Sequence, residues 1–202
     1  MDLKQGNMKK DKDLLELLTF PSSGEEVAEV IKQLKHKRET MERISNLITI
    51  QVMKTINIIM NDVFVPQMVK MVSNKNLRII NQNIECDWVN TSYMGLSIEN
   101  PDWKYFVIGI EFERRWLKEP IIGFLRKSDE YKREDIKCWD ILKERYSRRD
   151  PKNSNWIYKS FKEQYDWHTP EAIDKIVNGK MVEAFEKEID EILECAKEFD
   201  EI

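Results

Sequence analysis

No Trp or Tyr stands before Trp88 or after Trp167; the six of each that the 202-residue chain holds all lie in that interval. Large rings with a polar tip concentrate where a compact surface or core must be specified, so the flanking segments are excluded as aromatic recognition surfaces. Glycine and proline are also scarce, at six each, and there is no Gly-rich phosphate loop, no G-x-S-x-G element and no metal-binding helix motif. Three cysteines (Cys86, Cys138, Cys195) and two histidines (His36, His168) allow no zinc spacing and no paired disulfide framework. Reduced structural thiols in a cytoplasmic protein are the expectation.

Long apolar runs are missing as well. The opening residues MDLKQGNMKKDKD are polar and lack the apolar segment of a secretory signal. The most apolar helical stretch, Ile44 to Val72, is broken by Asn46, Gln51, Lys54, Asn57, Asn61, Asp62 and Lys70. A bilayer span needs about 20 predominantly apolar residues, so a soluble chain without membrane partners is expected. Charge of one sign does not dominate: residues 1–87 carry 13 basic and 12 acidic groups, and residues 88–169 carry 16 and 14. Residues 170–202 carry four and eleven. That balance excludes a generic nucleic-acid coat.

What is present begins with helical periodicity. Leu14, Leu15, Leu17 and Leu18 predict a short apolar helix before Phe20–Pro21, and Ser22/Glu25 and Ser23/Glu26 have capping-box spacing. Val27, Val30/Ile31, Leu34, Met41, Ile44, Ile48, Val52 and Ile59 then recur every three, four or seven residues. This predicts one long amphipathic helix towards Met60, with a polar step at Lys37–Arg38. Such a seam serves intramolecular packing or a coiled-coil contact with a partner or second copy. Asn61–Asp62 and Pro66 punctuate the chain beyond Met60, where a shorter helix or turn is expected before Ser73–Asn76.

After residue 77 the pattern changes to strands. Leu77–Val89 reads as an imperfect strand, and Tyr93–Asn100, Lys104–Arg114 and Pro120–Lys127 as three consecutive strands joined by hairpin-sized breaks. Phe106, Ile108, Ile110 and Phe112 form one apolar face of the second. Helices are then predicted over Glu134–Tyr146 and Asn155–Tyr165, and a third starts at Thr169–Pro170, is interrupted at Asn178–Gly179 and runs to the end. The expected architecture is α+β. Residues 1–83 form a helical arm, and residues 84–202 an aromatic-rich domain with a three- to four-stranded antiparallel sheet, ending in an acidic helix.

FVIGIEFE, IIGF, SNWIYKSFKEQYDW and NGKMVEAFEKEIDEIL, in that order, resemble the C-terminal accessory region of bacterial proteins in the PD-(D/E)XK nuclease superfamily. The resemblance spans about residues 85–202. It rests on spaced aromatics and glycines, and the carboxylate–x–Lys element of a nuclease core is not evident in residues 1–84. It implies an accessory module without its enzyme: a non-catalytic interaction or regulatory protein tied to a bacterial or phage nuclease or defence system, with no cofactor.

Three other sets of residues carry chemistry. Asp102, Glu111 and Glu113 could hold a hard cation such as Mg²⁺ in a divergent nuclease, although Glu113 stands where the superfamily has Lys; otherwise they are a solvated strand face. Arg114, Arg115, Arg126, Lys127, Arg148 and Arg149, among aromatics, are the candidates for nucleic-acid contact. Trp116, Trp139, Trp156 and Trp167 are the candidates for aromatic recognition, including that of a phage-type inhibitor engaging a protein or nucleotide. Against each stands ordinary packing or internal ion pairing. His168 reads as a local cap or packing residue, and acidic neighbours disfavour a thiolate at Cys195.

Overall fold

The computed structural model describes residues 24–80, 87–147, 155–161, 167, 169–199 and 202. The chain divides into two compact units, Met1–Gln51 and Val52–Ile202. The boundary falls inside a helix, well before the expected division at residue 83. The physical reason is burial: Ile56, Met60, Phe64, Met68, Met71, Val72 and Leu77 all belong to the same core as the sheet.

In the first unit the described residues belong to helix α1 (Gly24–Ile59). Val30 is buried, whereas every residue from 31 to 50 is exposed. Local contacts along this stretch include Arg38 with Glu42 at 2.9 Å and the Thr40 and Thr49 hydroxyls, which donate to the carbonyls of His36 and Ser45. The Arg38–Glu42 i,i+4 pair stabilises a helix by only about 0.2–0.5 kcal/mol. The predicted helix at Leu14–Leu18 and the two capping boxes lie outside the described residues.

In the second unit α1 ends at Ile59 and passes through a π turn, Met60–Phe64, into α2 (Val65–Ser73). Asn61, Asp62 and Pro66 therefore do not break the helix as their composition suggests. Pro66 has no N–H to donate and its ring crowds the carbonyl four residues back. The wider turn accommodates this: the Val65 N–H reaches back five residues to the Met60 carbonyl.

Five strands follow in a simple antiparallel meander: β1 (Arg78–Ile79), β2 (Met94–Glu99), β3 (Phe106–Arg114), β4 (Lys118–Arg126) and β5 (Trp156–Ser160). Three match the predicted strands closely. The predicted strand Leu77–Val89 is a strand at Arg78–Ile79, residues 81–86 lie outside the described residues, and Trp88 and Val89 at its end lie in a turn instead. The predicted helix Asn155–Tyr165 is a correction, because Trp156–Ser160 pairs with β4 from Ile121↔Ser160 to Leu125↔Trp156. The predicted helix Glu134–Tyr146 is also shorter: a 3₁₀ turn at Arg133–Asp135 precedes α3 (Trp139–Tyr146). Thr169 caps α4 (Pro170–Val177), its Oγ1 accepting from the Ala172 N–H, and after Gly179 (φ 78°) α5 runs over Lys180–Ala196.

Alternation decides which face each strand residue takes. Leu96 and Ile98, Phe106 to Phe112 at every second position, Ile122, Phe124 and Ile157 point into one core with Leu142, Phe185, Ile189 and Ile192. The tryptophans and phenylalanines fill it by ring contact. Trp167 meets Phe112 edge-on at 4.8 Å, Trp139 stacks on Phe106 at 5.7 Å, and Phe161 stacks on Phe185 at 4.3 Å. Across the other face runs a row of small residues, Ser97–Gly109–Gly123, ending at Tyr158. The Trp156 ring lies over Gly109 so closely that a Cβ there would sit 2.2 Å from it.

Candidate functional site

Glu111 and Glu113 share the face of β3 that is turned away from the core, as their spacing predicts. Glu111 is cross-strand from Gly95 and Ile121. Half-burial, and then the neighbouring Glu113 charge, push its carboxyl above the usual carboxylate range. Asp102 is exposed in the turn before β3, where its N–H donates to Asn100 Oδ1 at 3.0 Å. The strand path from Phe106 to Glu111 alone is about 17 Å, so Asp102 does not join the pair. Among the described residues no group of three or more His, Cys, Asp or Glu is placed to hold a metal ion. The two glutamates remain a half-buried acidic pair, with the Glu111 carboxyl raised above its ordinary range.

The basic candidates separate to the two ends of β4. Arg114 and Arg115 sit at the β3–β4 hairpin with Lys118, whereas Arg126 and Lys127 lie about 27 Å along the strand. Arg126 is only 11% exposed at its side chain and pairs with Asp129 at 3.0 Å. Lys127 pairs with Glu99 at 3.1 Å and donates to the Trp103 carbonyl. These two are committed internally and do not present phosphate-binding charge. Arg114 is exposed but faces Glu119 at 3.2 Å. Arg148 and Arg149 lie outside the described residues, as does His168.

Trp139, Trp156 and Trp167 are buried, and Trp116 is partly buried against the core. Three of the four aromatic recognition candidates are therefore packing residues. Burial, rather than the acidic neighbours, is the first cause raising the Cys195 thiol, with Glu198 adding to it and Arg145 opposing. Cys138 is buried and raised for the same reason.

Two features escaped the sequence. The first is a buried charge cluster: Lys159 of β5, 4% exposed, contacts Glu188 at 2.6 Å and Glu191 at 2.5 Å on α5 and lies 4.7 Å over the Tyr146 ring. The alternation in WIYKS would have placed Lys159 beside Ile157 on the core face, had the segment been read as a strand. The second is backbone strain at one end of the sheet. Tyr93, Trp116, Leu117 and Glu119, four of the five non-glycine residues with positive φ among the described residues, flank the Arg114↔Lys118 hairpin and the start of β2. Only side chains held by their surroundings persist in that region of backbone space. Here the Trp116 N–H donates to the Val89 carbonyl and the Tyr93 N–H to that of Phe112.

A cleft of about 510 Å³ lies where α2 meets the α4–α5 turn, lined by Gln67, Met71, Asn74, Asn178, Val182 and Glu183 among others. Its size falls within the range of small-molecule sites, roughly 300–1,000 Å³, but those are mostly apolar and enclosing. This one mixes acids, amides and a lysine, and Val177 on its wall is 53% exposed.

The surface with the largest unmet demand is on α1. Ile31, Leu34, Met41, Ile44, Leu47, Ile48 and Ile50 are each 40–66% exposed. Lone exposed apolar residues need no explanation, but a contiguous set marks an interaction surface. Comparison with known protein families, curated proteins and solved structures finds no match for this chain.

Proposed function

We propose that the chain is a non-catalytic interaction or regulatory module, tied to a bacterial or phage nuclease or defence system. The exposed apolar length of α1 carries the first half of this reading. In proteins most helical stability comes from tertiary packing of an apolar face, and here twenty consecutive residues are exposed. The resemblance of residues 85–202 supports the second half. The sheet domain supplies a rigid body with most of its aromatic side chains spent on packing, and α1 supplies the docking surface.

The test is made on the purified full chain. Incubation with double- and single-stranded DNA and RNA in Mg²⁺ or Mn²⁺ is expected to leave them intact. Co-expression with the product of an adjacent nuclease gene is expected to give a complex that Ile44→Ser with Leu47→Ser and Ile50→Ser disrupts. Metal-dependent cleavage that Glu111→Gln abolishes would overturn the reading in favour of a divergent nuclease. Inhibition of the nuclease by the chain would turn the module into an inhibitor.

A further inference from the structure

We infer that the cleft between α2 and α5 binds a free amino acid with an apolar side chain. This goes beyond the interaction-module reading and does not depend on the partner of α1. Gln67, Lys70, Met71 and Asn74 line one wall, and Gly179, Val182, Glu183 and Glu186 the other, around a volume of about 510 Å³. Each set is spaced by three, one and three residues, which puts it on a single helical face.

Cross-ties close both ends of the cleft. At one end the Gln67 Nε2 donates to the Val177 carbonyl at 3.4 Å. At the other, Lys75 contacts Glu186 at 3.1 Å and Asp190 at 2.7 Å. Gln67 and Lys75 are about 12 Å apart along the axis of α2. A docking helix is itself about 10–12 Å across with its side chains, and a peptide lying along the cleft would meet the ties. The space between them suits a small molecule.

The lining sets the chemistry. Met71 and Val182, each 7% exposed, supply buried apolar surface. The Lys70 ammonium and the Glu183 carboxylate are exposed, and neither has a hydrogen-bond or ion-pair partner among the described residues. Opposite charges that border one cleft without pairing complement a ligand carrying both signs. Gly179 caps α5 with no side-chain hydrogen bond, so the first N–H groups of that helix are open to a carboxylate. Glu183 follows about 6 Å further along the axis, within reach of an ammonium on the same molecule. Gln67 Oε1, buried without a hydrogen-bond partner, becomes a second acceptor when its amide turns into the cleft. A simple anion would leave Glu183 unanswered, and a simple cation would leave Lys70 and the start of α5 unanswered. A zwitterion with an apolar side chain answers all of them and covers Met71 and Val182.

Isothermal titration calorimetry of the full chain with L-leucine, L-methionine and L-phenylalanine is expected to give saturable binding of at least one. N-acetylation, which removes the ammonium, and amidation, which removes the carboxylate, should each weaken that ligand at least tenfold. Lys70→Gln and Glu183→Gln, both at exposed positions, should each weaken the parent amino acid by a similar factor. Glu183→Gln should not weaken the N-acetyl derivative further, because the group that Glu183 holds is already gone. Asn74→Trp, also at an exposed position on the wall, should fill the cleft and abolish binding while the urea midpoint stays unchanged. Should that variant fail to fold, the two charge substitutions carry the test alone. No saturable binding of any of the three amino acids overturns the inference, as does equal binding of the acetylated and amidated forms. So does binding that survives Asn74→Trp, or its displacement by inorganic phosphate as effectively as by the parent amino acid, which would leave an anion site only.

Discussion

Residues 31–50 and residues 94–126 are both rich in apolar side chains, and they dispose of them in opposite ways. In the strands, Leu96, Ile98, Phe106, Ile108, Ile110, Phe112, Ile122 and Phe124 are at most 3% exposed. On the helix, Met41 and Leu47 are each 66% exposed. Strand alternation places these eight side chains in one core, whereas the apolar residues from Ile31 to Ile50 are exposed. The aromatic residues therefore build the fold, and the aliphatic residues of the arm stay exposed. Recognition on this reading has moved away from the Trp/Tyr-rich centre where composition alone places it.

That contrast breaks most sharply at Phe112, which is 1% exposed and ringed by Trp88 and Trp167. Phe112→Ala is expected to cost about 3–5 kcal/mol, read as a lower midpoint in urea with little change in slope. Lys159→Met should cost a similar amount, about 3–5 kcal/mol, because it leaves the buried Glu188 carboxylate uncompensated. Adding Glu188→Met should recover most of that loss, and no recovery would mean the cluster is not a coupled pair.

A smaller effect is expected at Glu111. Its folded carboxyl titrates above the ordinary value of 4.5, from burial first and Glu113 second. Its contribution is thus most favourable below that value and is lost as pH rises through the folded one. Glu111→Gln should raise the melting midpoint at pH 7 and leave it unchanged at pH 4; a rise at both would trace to packing instead. At the far end of the scale, Ile50→Ser should change the urea midpoint of the sheet domain by no more than about 0.5 kcal/mol. A large loss there would show that the helix face is part of the core after all.

The strands β2 to β4 are legible in the sequence because one face of each is apolar and their turns are short. The Thr169–Pro170 start of α4 is legible because its cap is local, made within four residues. Strand β5 is not: Trp156, Tyr158, Phe161 and Tyr165 sit at spacings a helix also satisfies. Its one polar residue facing inward, Lys159, is matched by Glu188 and Glu191 some 30 residues away in sequence, beyond the reach of a local pattern. The acidic triad fails for a related reason. Proximity in sequence is not proximity in space, and nine residues, most of them along a strand, carry Asp102 away from Glu111. The basic residues likewise cluster in sequence, and β4 stretches them to opposite ends.

The π turn at Met60–Phe64 carries a consequence for how this chain tolerates change in length. Ile56, Met60, Phe64 and Met68 are spaced by four, and in an uninterrupted α-helix each such step advances by roughly 40° around the axis. The wide turn resets the phase, so one inward-facing line persists through it. A single-residue deletion between Asn61 and Val63 would restore ordinary winding and leave the flanking helices in phase, because the residue lost and the wide turn lost each amount to about 100° and cancel. Ile56 would keep its place in the core, whereas one further inserted residue would turn it by about 100°, so the wide turn is a stored insertion that the helix can lose but not repeat.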